Sequence, residues 1–171
     1  MEEKKETHIT YGLITGVAMV IVGLILYLTG LAFKPGMQYV AYIPFFAGII
    51  LNALAYSKAN DGHISFGNAF GSCFKASMIV ALVIVVWSVL SMYIFPEMKE
   101  KALEMAREQM AKNQKMTDDQ IDMSLTIAKK YWNAFLIAGA IFGTLLYGVV
   151  FSLIGAVIAG KKPTQLTADN F

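Results

Sequence analysis

Catalysis requires nucleophiles, acids, bases or metal ligands at workable spacing, and this sequence is sparing with all of them. Its two histidines, His8 and His63, lie in different polar segments, and its single cysteine is Cys73. No H-x-x-x-H, C-x-x-C or G-x-S-x-G pattern occurs, so the spacings that serve zinc hydrolysis, dithiol redox work or serine acyl transfer are missing. Asp61 and His63 would reach a metal with His8 only if the fold brought their segments to one face. Three groups on loops make a poor metal site because nothing holds them in ligand geometry, and solvated loops are the preferred reading. One cysteine excludes an internal disulfide, and a thiol beside an apolar segment is expected to pack. The expectation is a protein that is not an enzyme, with no catalytic residues, no cofactor and no metal.

Ionisable side chains inside apolar segments would mark ion paths or proton relays, since burying one in a bilayer costs at least ~2.5–3.5 kcal/mol. No Asp, Glu, Lys or Arg occurs in residues 11–33, 39–56, 76–95 or 133–160. That pattern disfavours active transport by a single copy. The most interior polar residues are Asn52, Ser77, Ser88, Ser91, Thr144 and Ser152. They are expected to bond between helices, or back to their own helix, rather than to hold a substrate.

The elements that carry these residues follow from the same charge-free blocks. Hydrophobic residues make up 57% of the 171 positions and charged residues only 15%, against roughly 25% charged in an ordinary soluble domain. So little polar sequence cannot coat the surface that a domain of this size still exposes, and lipid must supply the missing solvent. About 20 apolar residues, rising ~1.5 Å each, cross a ~30 Å hydrocarbon core. The four blocks are therefore read as four membrane-spanning helices. The second is the shortest and contains Pro44, where neighbouring helices would have to satisfy a bend. The first apolar run is too long for a cleaved signal segment. The short connection at Lys34-Pro35-Gly36-Met37-Gln38 carries a Pro-Gly turn signal, so spans one and two are expected as a tight hairpin. Ser65 is placed to cap a third helix that starts before the charge-free block. Phe66, Phe70 and Phe74 would form one aromatic ridge along it, either at the membrane interface or buried against span two.

The third connection differs from the others. Pro96 ends span three and suits the opening of a new helix. From Glu97 to about Asn113 the pattern is amphipathic: Met98, Ala102, Met105, Ala106 and Gln109 fall together, with Leu103 and Met110 at the edge. Thr117-Asp118-Asp119-Gln120 reads as a capping box, with its acids complementing the helix dipole. Ile121, Leu125, Ala128 and Trp132 line one face of the helix that follows. No proline or helix-stopping glycine intervenes, so one long helix is expected from Asp118 to about Gly160, entering lipid near Lys129, Lys130, Tyr131 and Trp132. The fold class is all-α: an integral membrane four-helix bundle with an extramembrane helical hairpin, residues 97–131, between spans three and four. The whole chain is one membrane domain.

Two surfaces are candidates for binding. Met98, Ala102, Met105 and Met110 form a methionine-rich face that could take a partner, methionine being adaptable at such surfaces. Gly12 and Gly16, Gly139 and Gly143, and the series Gly148, Ser152, Ala156 and Gly160 are small residues four apart, which allow close helix approach in lipid. They would serve contacts inside one copy, a homo-oligomer, or docking on another membrane protein. The net charge of +2 is too small to suggest nucleic acid. Lys4, Lys5, Lys58, Lys75, Lys161 and Lys162 would share one side, placing the termini in the cytoplasm by the positive-inside rule. The hairpin's seven cations on the other side weaken that argument. The preferred role is a non-enzymatic interaction protein working through the hairpin; the alternative is a pore or carrier formed by several copies.

Taken as a set, Tyr11-Gly12 with Gly16, the Gly62 to Phe70 segment, Tyr93-Ile94-Phe95-Pro96, Met116 to Ile121 and the terminal Lys161-Lys162 resemble a family of small bacterial membrane proteins, domain of unknown function 4199. The resemblance covers almost the whole chain. It implies a four-span protein of the inner membrane of a Gram-negative bacterium, and it supplies no catalytic or ligand residues.

Overall fold

The computed structural model describes residues 6–34, 36–112 and 116–160. Lys4, Lys5, Pro35, Asn113, Lys115, Lys161 and Lys162 lie outside the described residues. Six α-helices occur among those described: α1 His8–Leu28, α2 Tyr42–Ala59, α3 Phe66–Ile94, α4 Glu97–Lys112, α5 Asp118–Lys130 and α6 Trp132–Ala159. Four of them are long and apolar enough to cross a membrane, α2 with the short 3₁₀ turn Met37–Ala41 ahead of it. The chain is an all-helical, multi-pass membrane protein.

The bundle is organised opposite to a water-soluble one. Between 22% and 28% of each apolar window is buried, and the buried part is built largely from small side chains, among them Ala53, Ala69, Cys73, Ala76 and Ala156. The large residues point outward: Leu28, Leu82, Phe142 and Leu146 are each at least 64% exposed. In water such a surface would drive aggregation. In hydrocarbon it is the matching solvent, while small inward residues let helices approach without a hydrophobic force to hold them.

Around the bundle the order is α1, α2, α6, α3, with α3 and α6 sharing the largest interface and α2 also reaching α3 across the middle. Aromatic rings fill the α2–α6 side, where Tyr42 meets Tyr147 at 4.3 Å and Phe45 meets Phe151 at 5.2 Å between centroids. Up-and-down threading is fixed by contacts at both ends. Glu6 pairs with Lys75 ahead of α1 and near the start of α3, and Tyr27 meets Glu97 at the other end.

Several boundaries differ from the charge pattern. The first helix stops at Leu28, five residues before the block ends, because Gly30 turns left-handed at φ 71°, a common device at helix ends. Residues Leu31–Phe33 then wind back as a 3₁₀ turn, setting Phe33 edge-on to Tyr27. Pro44 causes no mid-span bend, since it is the third residue of α2, where the missing N–H had no partner to lose. Ser65 caps α3 by accepting from the Asn68 amide, and Phe66, Phe70 and Phe74 stack in series. The single helix expected from Asp118 to Gly160 is divided at Tyr131, whose φ and ψ are −105° and 21°. Its amide still bonds to the Ile127 carbonyl, and its carbonyl accepts from Phe135, so two bonds flank the break. The cause is tertiary: α4 leaves α3 at the Phe95–Pro96 corner, and α5, packed on α4, cannot keep the axis that α6 keeps on α3.

Candidate functional site: the docked hairpin and a buried polar seam

At the hairpin end, four elements converge. Tyr27 Oη donates to Glu97 Oε1 at 2.6 Å, joining residues 70 apart in sequence. The Tyr27 ring packs on Phe95 at 4.9 Å and on Phe33 at 5.8 Å, and the Lys101 ammonium lies 5.7 Å from both the Tyr27 and Phe33 centroids. The tyrosine hydroxyl, then the backbone at the start of α4 and the nearby Lys101, hold the Glu97 carboxyl below its ordinary range. Three rings and two charged side chains from α1, the turn after it, the α3–α4 corner and α4 thus lock the hairpin base.

Further out, the capping box forms as a reciprocal pair. The Thr117 amide donates to Gln120 Oε1 at 3.1 Å, and the Gln120 amide donates to Thr117 Oγ1 at 3.4 Å. Arg107 bridges α4 to α5 by donating to Asp122 Oδ1 at 2.6 Å. Ile121 is buried, and Leu125, Ala128 and Trp132 are half-buried on the same face.

Met98, Ala102, Met105 and Met110 are all half-buried. The hairpin's open apolar residues are instead Met123, 68% exposed, and Ile127, 43% exposed, about 200° and 240° around α5 from Ile121 at about 100° per residue. Tyr131 and Phe135 extend the same exposed line into α6. The four-residue spacing of Met123, Ile127, Tyr131 and Phe135 is the signal of this face in the sequence.

At the opposite end a polar seam crosses the bundle. Asn52 is fully buried on α2; its Oδ1 accepts from Thr7 Oγ1 at 2.8 Å, and its Nδ2 donates to Ser72 Oγ at 3.2 Å and approaches Cys73 Sγ at 3.8 Å. Thr7 stands at the N-cap position of α1 yet makes no side-chain cap bond, its φ and ψ of −121° and −15° lying outside the extended region of a capping residue, and its hydroxyl donates to Asn52. Deeper in, Ser77 returns to the Cys73 carbonyl at 3.1 Å and lies 3.5 Å from Ser152 Oγ. Ser88 and Ser91 also bond to carbonyls of their own helix. Every buried polar side-chain atom among the described residues has a partner, as a low-dielectric interior demands. Above the seam, Glu6 accepts from Lys75 Nζ at 3.1 Å and lies 3.9 Å from His8 Nε2. The lysine, through both its bond and its charge, and then His8 hold the Glu6 carboxyl below its ordinary range. His63 is not part of this group, and among the described residues no three His, Cys, Asp or Glu side chains converge as a metal site would require.

The small residues separate into two sets. A methyl added at Gly12 would lie 2.8 Å from Ile79 Cβ, at Gly16 2.8 Å from Val83 Cβ, and at Gly148 2.7 Å from Ser77 Cβ. Ser152 and Ala156 are fully buried on the same face of α6 as Gly148. These positions hold α1 and α6 against α3. Gly143 would meet only the Tyr42 hydroxyl at 3.6 Å, and Gly139 would meet nothing within 4 Å. Gly48, which the spacing of small residues left unmarked, lies against the Thr15 side chain, its added methyl 2.7 Å from Thr15 Cγ2.

No curated protein and no solved structure matches the chain. The model of one family, described as Protein of unknown function (DUF4199), matches residues 10–161. With nearly every described helix inside that match, the chain belongs to this family of proteins of unknown function.

Proposed function

We propose that the protein is a non-enzymatic membrane protein of the bacterial inner membrane whose α4–α5 hairpin engages another membrane protein or a second copy of itself. The observation that carries this reading is the line Met123, Ile127, Tyr131 and Phe135, exposed from the hairpin into the span on a hairpin that Tyr27, Phe33 and Phe95 fasten to the bundle. A partner that covers this line must itself have a wet part and a membrane part. Rigid attachment supports a binding role, because a pre-ordered surface loses less entropy on association. Met98 and Met105 then stabilise the hairpin rather than contact the partner. The lysines flanking the short loops support a reading with the termini in the cytoplasm and the hairpin on the other side.

Site-specific photo-crosslinking in intact membranes tests the reading. A benzophenone amino acid at Met123 is expected to give discrete protein adducts, whereas the same group at Glu104 gives none. Equal patterns at the two positions would overturn it. Labelling of a cysteine at Glu104 by an impermeant maleimide, in a Cys73→Ser background, assigns the side.

A further inference from the structure

The corner that creates the hairpin also opens a cleft. Phe95 leaves the helical region at φ −130° and ψ 65°, Pro96 turns the chain, and α4 departs from α3. Between the end of α3, the first turn of α4 and the first turn of α6 lies a space of about 290 Å³. That is near the lower end of the about 300–1,000 Å³ of small-molecule sites, and it suits part of a ligand rather than a whole large one. Met98, Trp132 and Leu136 give it apolar walls, while Lys99, Asn133 and Tyr93 supply polar groups.

Its charge is one-sided. No carboxylate lines the cleft, and Lys99 is its only charged residue. Of the two acids in the first turn of α4, Glu97 is turned to α1 and held by Tyr27 and Glu100 is exposed outside the cleft lining, while Lys101 lies over the Tyr27 and Phe33 rings. Thus the start of α4 sends Glu97 and Lys101 to one side and Lys99 to the other. Lys129 and Lys130 end α5 just before Trp132. The position is also fixed along the membrane normal: the cleft lies where the charge-free segments 76–95 and 133–160 meet charged sequence, at the level of headgroups. Exposed Tyr93 and half-buried Trp132 are the ring types that settle there. An apolar wall facing hydrocarbon beside an unopposed cation at headgroup depth is complementary to one kind of molecule, a lipid whose headgroup is anionic.

We propose that this cleft binds an anionic phospholipid, its phosphate at Lys99 and Asn133 and the upper part of an acyl chain against Met98, Trp132 and Leu136. The site is independent of the Met123–Ile127 surface and stands or falls apart from it. Clusters of basic residues flanking membrane spans select acidic lipids in this way.

The chain has two tryptophans, Trp87 and Trp132, so Trp87→Phe leaves Trp132 as the sole reporter at the cleft. The full-length variant is reconstituted in phosphatidylcholine vesicles containing brominated phosphatidylglycerol, or brominated phosphatidylcholine in unbrominated phosphatidylglycerol-free vesicles, and fluorescence is titrated against the brominated fraction. An about fivefold preference for the anionic lipid is expected, the size that one lysine near a membrane surface supports. In Lys99→Gln the preference should fall to about equal, with unchanged helical circular dichroism. Matching quenching curves for the two lipids in the Lys99 protein would overturn the proposal, as would a preference that survives Lys99→Gln and is removed by raised salt, the mark of diffuse surface attraction. If the single-tryptophan variant folds poorly, native mass spectrometry of the unmodified protein, comparing retained phosphatidylglycerol with and without Lys99→Gln, gives the same decision.

Discussion

The hydroxyl of Tyr27, one residue from the end of the first span, donates to the Glu97 carboxylate at the first residue of the hairpin, 2.6 Å away. The bond fastens a charged, wet helix to an apolar one, and its strength depends on the carboxylate remaining ionised. The Glu97 pKa is lowered from 4.5, so the bound proton is disfavoured in the folded state. Stability from this contact is fully present above about pH 4.5 and is lost as pH falls through the lower folded value. The protection of α4 amides in vesicles, taken relative to intrinsic exchange at each pH, should therefore fall on acidification. Tyr27→Phe should show faster exchange already at neutral pH and a flatter acid response; an unchanged acid response would refute the link.

Close approach of the helices divides the glycines by consequence. Gly16→Ala and Gly148→Ala force a methyl against Val83 and Ser77, and overpacking of this kind costs about 1–3 kcal/mol. Gly139→Ala meets open space and should be neutral, or stabilising by up to about 1 kcal/mol through helix propensity. Thermal unfolding in detergent separates the two outcomes. Cross-linking of Gly139→Ile asks a different question: loss of a dimer band would assign that open groove to a second copy.

Asn52 joins three helical segments through Thr7, Ser72 and Cys73. Its replacement by Ala leaves buried hydroxyls without their partner, at about 1–3 kcal/mol. Because Thr7 stands at the head of α1, the first amides of that helix should lose protection before the rest of the bundle. Uniform loss across all helices would show that Asn52 acts through packing volume and not through its bonds.

Within the hairpin, two polar devices should differ in worth. The Arg107–Asp122 pair is short, but both side chains are about 60% exposed, and surface ion pairs contribute roughly 0–1 kcal/mol. The Thr117 cap satisfies amides that have no other partner, and its removal costs typically about 1 kcal/mol. Exchange protection of α5 should fall more in Thr117→Ala than in Asp122→Ala, and only the second effect should fade at high salt.

Much of the architecture could be read directly from local chemistry. Charge-free runs long enough to cross hydrocarbon, Ser65 and Thr117 with their capping geometry, and Pro96 at a helix end are each dictated by solvent or backbone within a few residues. They specified four spans, a projecting hairpin and the start of α3 without reference to any distant contact. Gly30 was visible too, but its power to end α1 inside an apolar run was hidden by hydropathy, which records solubility and not backbone angle.

What only the tertiary structure decided depends on which face of a helix meets which neighbour. The bend at Tyr131 follows from α5 and α6 obeying different partners. Thr7 bonds to Asn52, 45 residues away, and not to the amides of its own helix. Tyr27 finds Glu97 across 70 residues, which draws that acid away from the cleft that Lys99 lines. In lipid every apolar face is equally soluble, so hydropathy cannot choose the inward one; the choice falls to small-residue fit and to hydrogen bonds, and both are set by pairs of residues that the chain brings together only when folded.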